Sequence, residues 1–166
     1  LARGGMRVVL VEADPGEPRL HTLLGVDPTA DRDSQLALAA GELPDATISV
    51  PFAGNNSVGL AAQGRLQILP LGDSPTSLAA ILDDEDIARL IRLLREQADF
   101  VIFDATPLHL GEAHRFMRAS DVALLVARSG WTRRARAQAA RVILERLGIR
   151  RTAVILTDAS ADEVLV

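Results

Sequence analysis

The chain is expected to adopt an α/β fold: three layers, with a mostly parallel sheet covered by helices on both faces. Three features predict it. Five short apolar runs recur along the 166 residues, segments with apolar residues at steps of three and four lie between them, and acids or turn residues close several runs. Continuous apolar runs suit strands buried on both faces, and amphipathic crossovers between them make the sheet parallel.

The first strand is read at 7–11 (RVVLV), followed by a short helix near 18–24 and another near 33–40. Residues 44–65, with "PFAGNNSVG", read as an irregular excursion. "LQILPLG" (66–72) is the second strand, with a short helix near 76–82 after it. In "DDEDIARLIRLLREQAD" the apolar positions Ile87, Leu90, Ile91 and Leu94 form one helical face. Asp83 or Asp84 is the N-cap, and Glu85–Arg89 and Arg92–Glu96 are i,i+4 pairs. "DFVIFDATP" (99–107) is the third strand, and a helix follows near 112–119. "DVALLVARSG" (121–130) is the fourth strand. In "TRRARAQAARVILERLG" the predicted apolar stripe is Ala135, Ala139, Val142, Ile143 and Leu147, with Gly148 as the stop. "TAVILTD" (152–158) closes the pattern. The length fits a single domain over 1–166.

Composition excludes several chemistries. There is no cysteine, hence no disulfide, thiolate metal site or Cys nucleophile within these residues. All eighteen basic residues are arginine, and there is neither lysine nor tyrosine. No apolar stretch approaches the roughly 20 residues that span a bilayer. The net charge of −4 gives no general reason to expect nucleic acid. A cytoplasmic protein without membrane insertion is the expectation.

Ligands of parallel sheets bind beyond the carboxyl ends of the strands. Three acids fall there: Glu12 and Asp14 after the first strand and Asp104 after the third. Carboxylates so placed suit Mg²⁺, which takes oxygen ligands and is often shared with substrate phosphates. An acid pocket of a signalling receiver is excluded by the absence of lysine. His21 reads as a packing or capping residue, and His109 and His114 as surface residues. The arginines at 133, 134, 136, 141, 150 and 151 read as a solvated helix face. Trp131 is expected to be buried against the core or a protein partner.

With these elements placed, "VVLVEADPGEPRLHTLLGV" resembles the second signature of bacterial tyrosine kinases and related polysaccharide-assembly ATPases of the MinD/ParA branch of P-loop proteins. Ala13, Asp14, Pro18, Leu20 and His21 fall in register with it, as do Leu24 and Gly25. "DFVIFDATP" resembles the family's "DFVIIDTPP", and "ASDVALLVARSGWT" its "ADGVLLVVRxGxT". The stretch "RRTAVILT" is similar to the family's "GVVLN". The resemblance runs through nearly the whole chain. It implies ATP or ADP with Mg²⁺ at Glu12, Asp14 and Asp104, and Thr157 and Asp158 near the base. The implied partner is a membrane chain-length determinant of exopolysaccharide or capsule assembly, or a second copy, recruiting the chain to the inner membrane face.

The departures shape the expectation further. Glu12 stands where the family has Asp, and Gly16 and Glu17 replace its basic pair. "TPP" becomes Ala105, Thr106, Pro107, and Thr157 replaces the Asn. The family's P-loop, a Gly-rich turn with a phosphate-binding Lys, has no counterpart here. The expected reading is therefore a degenerate or N-terminally truncated domain. Two strands would lack the neighbour that the P-loop strand provides. Such a domain has no catalytic residues for phosphoryl transfer, holds nucleotide weakly or not at all, and acts as a regulatory pseudoenzyme. The alternative is a ParA/MinD-like positioning protein that binds DNA or a protein partner.

Overall fold

A computed structural model of the chain describes residues 1–14, 16, 19–26, 48–50, 64–69, 82–149 and 151–159. The fold is α/β with mostly parallel pairing, as the alternation of runs predicts. It divides into two compact units, Leu1–Pro107 and Leu108–Val166.

The first unit is built on a four-stranded sheet of order β2-β3-β1-β4, with β1 at Arg7–Ala13, β2 at Ile48–Ser49, β3 at Arg65–Leu69 and β4 at Phe100–Ala105. β1 is parallel to β3 on one side and to β4 on the other, while the two-residue β2 is antiparallel to β3. Having neighbours on both edges makes β1 the core strand: Val8, Val9, Val11 and Ala13 are all buried. The strand runs two residues beyond the expected 7–11, carrying Glu12 inside its ladder. β3 supplies Ile68 and Leu69 to the same core. Gly64, at its entry, has no room for a side chain, because a Cβ there would meet the carbonyl oxygen of Ala2.

The helix α2, Asp84–Gln97, follows the predicted pattern closely. Asp83 is its cap: Oδ1 accepts from the backbone N–H groups of Glu85 and Asp86, and Asp86 returns the bond to the Asp83 N–H. Asp84, Glu85 and Asp86 also place negative charge at the positive end of the helix. Ile87, Leu90 and Leu94 are buried, each contributing about 1.5–3 kcal/mol of apolar transfer. The turn from α2 into β4 is fastened to β1 by a reciprocal clasp. Arg7 donates to the Asp99 carboxylate from its backbone N–H and its guanidinium, and the Asp99 N–H donates to the Arg7 carbonyl. The short helix α1, Leu20–Leu24, ends on Gly25 at φ 66°, where the Val26 N–H returns to the His21 carbonyl.

The second unit pairs β5 (Ala123–Arg128) in parallel with β6 (Thr152–Thr157), joined by α4 (Arg134–Arg146). Before them lie a 3-10 turn at Leu108–Leu110 and α3 at Ala113–Ala119, whose Ala113 and Phe116 are buried. His114 is half-buried rather than on the surface, its Nε2 bonded to the Leu108 carbonyl at 2.9 Å. Two further expectations change here. β6 is exposed along its whole length, so burial on both faces does not hold for it among the described residues. On α4, Leu144 is buried, Ile143 and Leu147 of the predicted stripe are half-buried, and Val142 is 44 % exposed, so the stripe holds in part and Leu144 joins it. The alanines at 135, 137, 139 and 140 give little contrast around the helix, so periodicity alone does not choose its face.

β4 and β5 each end a sheet among the described strands. The helices expected near 33–40 and 76–82, and the tail of "LQILPLG", lie outside the described residues.

Candidate functional site

The C-terminal ends of β1 and β4 carry the acids singled out by sequence. Parallel register pairs Glu12 with Asp104 and Ala13 with Ala105. Paired residues of neighbouring parallel strands project to the same face, so Glu12 and Asp104 share one face of the sheet, and Asp14 follows just beyond the end of β1. Their charges act on one another. The Asp104 carboxyl is pushed above its ordinary value, first by lost hydration, then by the negative charges of Asp14 and Glu12.

The three acids have different occupations. Glu12 is 1 % exposed. Its Oε1 accepts from the Leu20 N–H at 2.9 Å, and its Oε2 lies 3.2 Å from His21 Nδ1. It thereby fastens the start of α1 beneath the strand end, and its extra methylene relative to Asp lets it reach there. His21 thus has a concrete role: it neighbours a buried carboxylate rather than filling a gap. Asp14 lies at the surface and accepts from the Gly16 N–H at 2.9 Å. Asp104 remains exposed.

Thr106, two residues beyond Asp104, was not singled out from sequence. It is 7 % exposed, and its hydroxyl finds no hydrogen-bond partner among the described residues. Such a buried, unsatisfied oxygen is uncommon and costs stability unless something else meets it. No sequence signal marks it beyond its place in the loosened "DATP".

Among the described residues no group of three His, Cys, Asp or Glu side chains converges on one point to hold an ion. Mg²⁺ does not require such a cage. It binds through one or two carboxylates and keeps several waters. Asp14 and Asp104 fit that demand, because a cation would relieve the repulsion that Asp14 exerts on Asp104. Glu12 already accepts two protein hydrogen bonds and stands behind them.

Thr157 and Asp158 belong to the second unit, at the end of β6. The Thr157 hydroxyl donates weakly to the Ala127 carbonyl at 3.4 Å, and Asp158 takes a left-handed φ of 55°. Asp158 Oδ2 accepts from Arg128 Nε at 2.6 Å, and the Arg128 guanidinium lies 5.7 Å from the Trp131 ring centroid. Trp131 is 78 % exposed, so it is not buried against the core of its unit. The strand-end turn "SGWT" projects it: the Thr132 hydroxyl accepts from the Arg128 N–H, and the Trp131 N–H returns to the Arg128 carbonyl.

In fold, this alternation of parallel strands and crossover helices resembles solved structures of MinD and of bacterial tyrosine kinase domains. The kinase domain of the Escherichia coli tyrosine kinase ETK superposes with a TM-score of 0.71 at 20% identity, over 96% of this chain and 60% of that one. The BceF tyrosine kinase domain gives 0.71 at 23%, over 94% and 58%. The septum site-determining protein MinD of Pyrococcus horikoshii, solved with Mg-ADP, gives 0.64 at 20%, over 98% and 63%. At these identities the likeness is one of fold. The chain spans about 60% of the length of these structures. No family model matches the chain, and no curated protein matches it by sequence.

Proposed function

We propose that this chain is a nucleotide-linked regulatory domain of the tyrosine-kinase-like kind, acting in exopolysaccharide or capsule assembly and not transferring phosphate through its own residues. The observation that supports this is the end of the β1–β4 ladder, where Asp104 pairs with Glu12 and its carboxyl is raised first by lost hydration and then by the charges of Asp14 and Glu12. Asp14 and Asp104 would hold a hydrated Mg²⁺, supplying charge neutralisation for nucleotide phosphates. Glu12 supports them from within by holding α1. Thr157 and Asp158, the residues expected near a base, close β6 in the second unit. Within these 166 residues no lysine is present to grip phosphate oxygens, so affinity rests on the metal and is weak. The partner proposed is a membrane chain-length determinant, or a second copy, which would bring this domain to the inner face of the membrane.

Calorimetric titration with Mg²⁺–ATP and Mg²⁺–ADP tests the reading. Weak binding that disappears in Asp104→Asn supports it. The absence of any heat at millimolar nucleotide would make the acids plain strand ends.

A second reading is favoured by α4. Arg133, Arg134 and Arg136 are exposed, and none of them is paired with a carboxylate among the described residues. A ParA/MinD-like positioning protein would use such a surface on DNA. Salt-dependent retention on DNA, lost in the Arg133→Ala/Arg134→Ala double variant, would favour it over the first reading.

A further inference from the structure

The second unit contains a cavity that the nucleotide reading does not use. Leu125 and Val154 stand side by side in parallel register on one face of β5 and β6, and Ala137, Ala140 and Ile143 of α4 face them. Between sheet and helix the space amounts to about 720 Å³. A closely packed helix-on-sheet layer leaves few voids larger than a water molecule. This one instead falls in the range of sites for small organic ligands. The cause lies in the sequence: the helix presents alanines where longer side chains would reach the sheet. Val154 is accordingly 64 % exposed although it is apolar and faces the helix.

The rim is positively charged. Arg141 and Glu145 neutralise each other through an ion pair of 2.7 Å. Arg136 also borders the space and has no carboxylate partner among the described residues. No acid stands in the first turn of α4, and the unit holds more than half of the chain's eighteen arginines. The walls therefore suit hydrocarbon and the mouth suits an anion. Guanidinium matches phosphate and carboxylate oxygens bidentately.

We propose that this cavity binds a single-chain anionic amphiphile, its apolar tail between the sheet and α4 and its phosphate or carboxylate head against Arg136. A sheet and a helix wall the space on two sides, which favours a slender chain over a protein segment.

The test is calorimetric titration of the full chain, without nucleotide or Mg²⁺, using decyl phosphate, decanoate and decanol below their aggregation concentrations. Decyl phosphate or decanoate should bind at one per chain, and decanol about tenfold more weakly, as expected for loss of a charge-assisted hydrogen bond. Whichever of the two anions binds tighter identifies the head group. Arg136→Glu, an exposed change that leaves the core alone, should weaken the anion by at least the same factor. Ala140→Trp should fill the space and abolish binding. Asp104→Asn should leave it unchanged, which separates failure here from failure of the nucleotide reading. No saturable binding of either anion, or binding unaltered in Arg136→Glu, would overturn the proposal.

Discussion

Glu12 and Asp104 are register partners on adjacent parallel strands, yet one is sealed in the core and the other keeps contact with water while losing part of its hydration. The difference lies in what each meets beyond its strand. Glu12 is covered by the start of α1 and spends its oxygens on Leu20 and His21. Asp104 faces solvent and two other acids.

Glu12 should therefore behave as a structural residue. Glu12→Ala leaves the Leu20 N–H and the His21 ring without their acceptor and should cost about 1–3 kcal/mol in urea unfolding. Glu12→Gln keeps an oxygen for Leu20 and should cost less. Equal stability of all three proteins would remove Glu12 from this role.

Asp104 makes the opposite prediction. A carboxyl raised in the folded state binds more protons folded than unfolded, so stability falls as pH rises through the window above the ordinary value of 3.8. Asp104→Asn should raise the melting temperature at pH 7 and have little effect below about pH 4. Millimolar Mg²⁺ should stabilise the natural chain and not the variant.

Asp99 titrates with the other sign. Its hydrogen bonds from the Arg7 side chain and backbone hold its carboxyl below the ordinary value. Stability from this clasp is present above 3.8 and lost as pH falls through the lower folded value. Asp99→Asn should lower the melting temperature at pH 7, more at low salt than at high salt. The gap from the natural chain should close in acid.

The helix α2 offers a calibration. Asp83→Ala removes the cap and should cost about 1 kcal/mol, whereas Leu94→Ala opens the core and should cost about 2–5 kcal/mol. Trp131→Ala, at an exposed turn, should change stability by less than about 0.5 kcal/mol. Chemical denaturation of the three variants measures all of these on one scale.

Much of the fold was legible because local chemistry and tertiary demand agree. Asp83 caps α2 with its own side chain, and the face made by Ile87, Leu90 and Leu94 is the one the core takes. The valines of β1 read as a doubly covered strand, and β1 has a neighbour on each edge. Where the agreement is weaker, sequence misleads. On the alanine-rich α4 the predicted Ile143 and Leu147 are half-buried, while Val142 is exposed and Leu144 is buried in its place. Trp131 reads as packed against the core or a protein partner, and its turn projects it away from the core of its unit.

The candidate site divides in the same way. Sequence alone marked Glu12, Asp14 and Asp104, because acids that end apolar runs stand out against a buried strand. It could not say that Glu12 would be buried, nor that Thr106 would be left with an unsatisfied hydroxyl. Those outcomes depend on which backbone groups arrive from elsewhere in the chain. Composition determined what chemistry is absent from these residues, and periodicity determined strands and helices. Tertiary structure decided which acids face water, which face of α4 turns inward, and where space remains, because each depends on contacts between segments far apart in sequence.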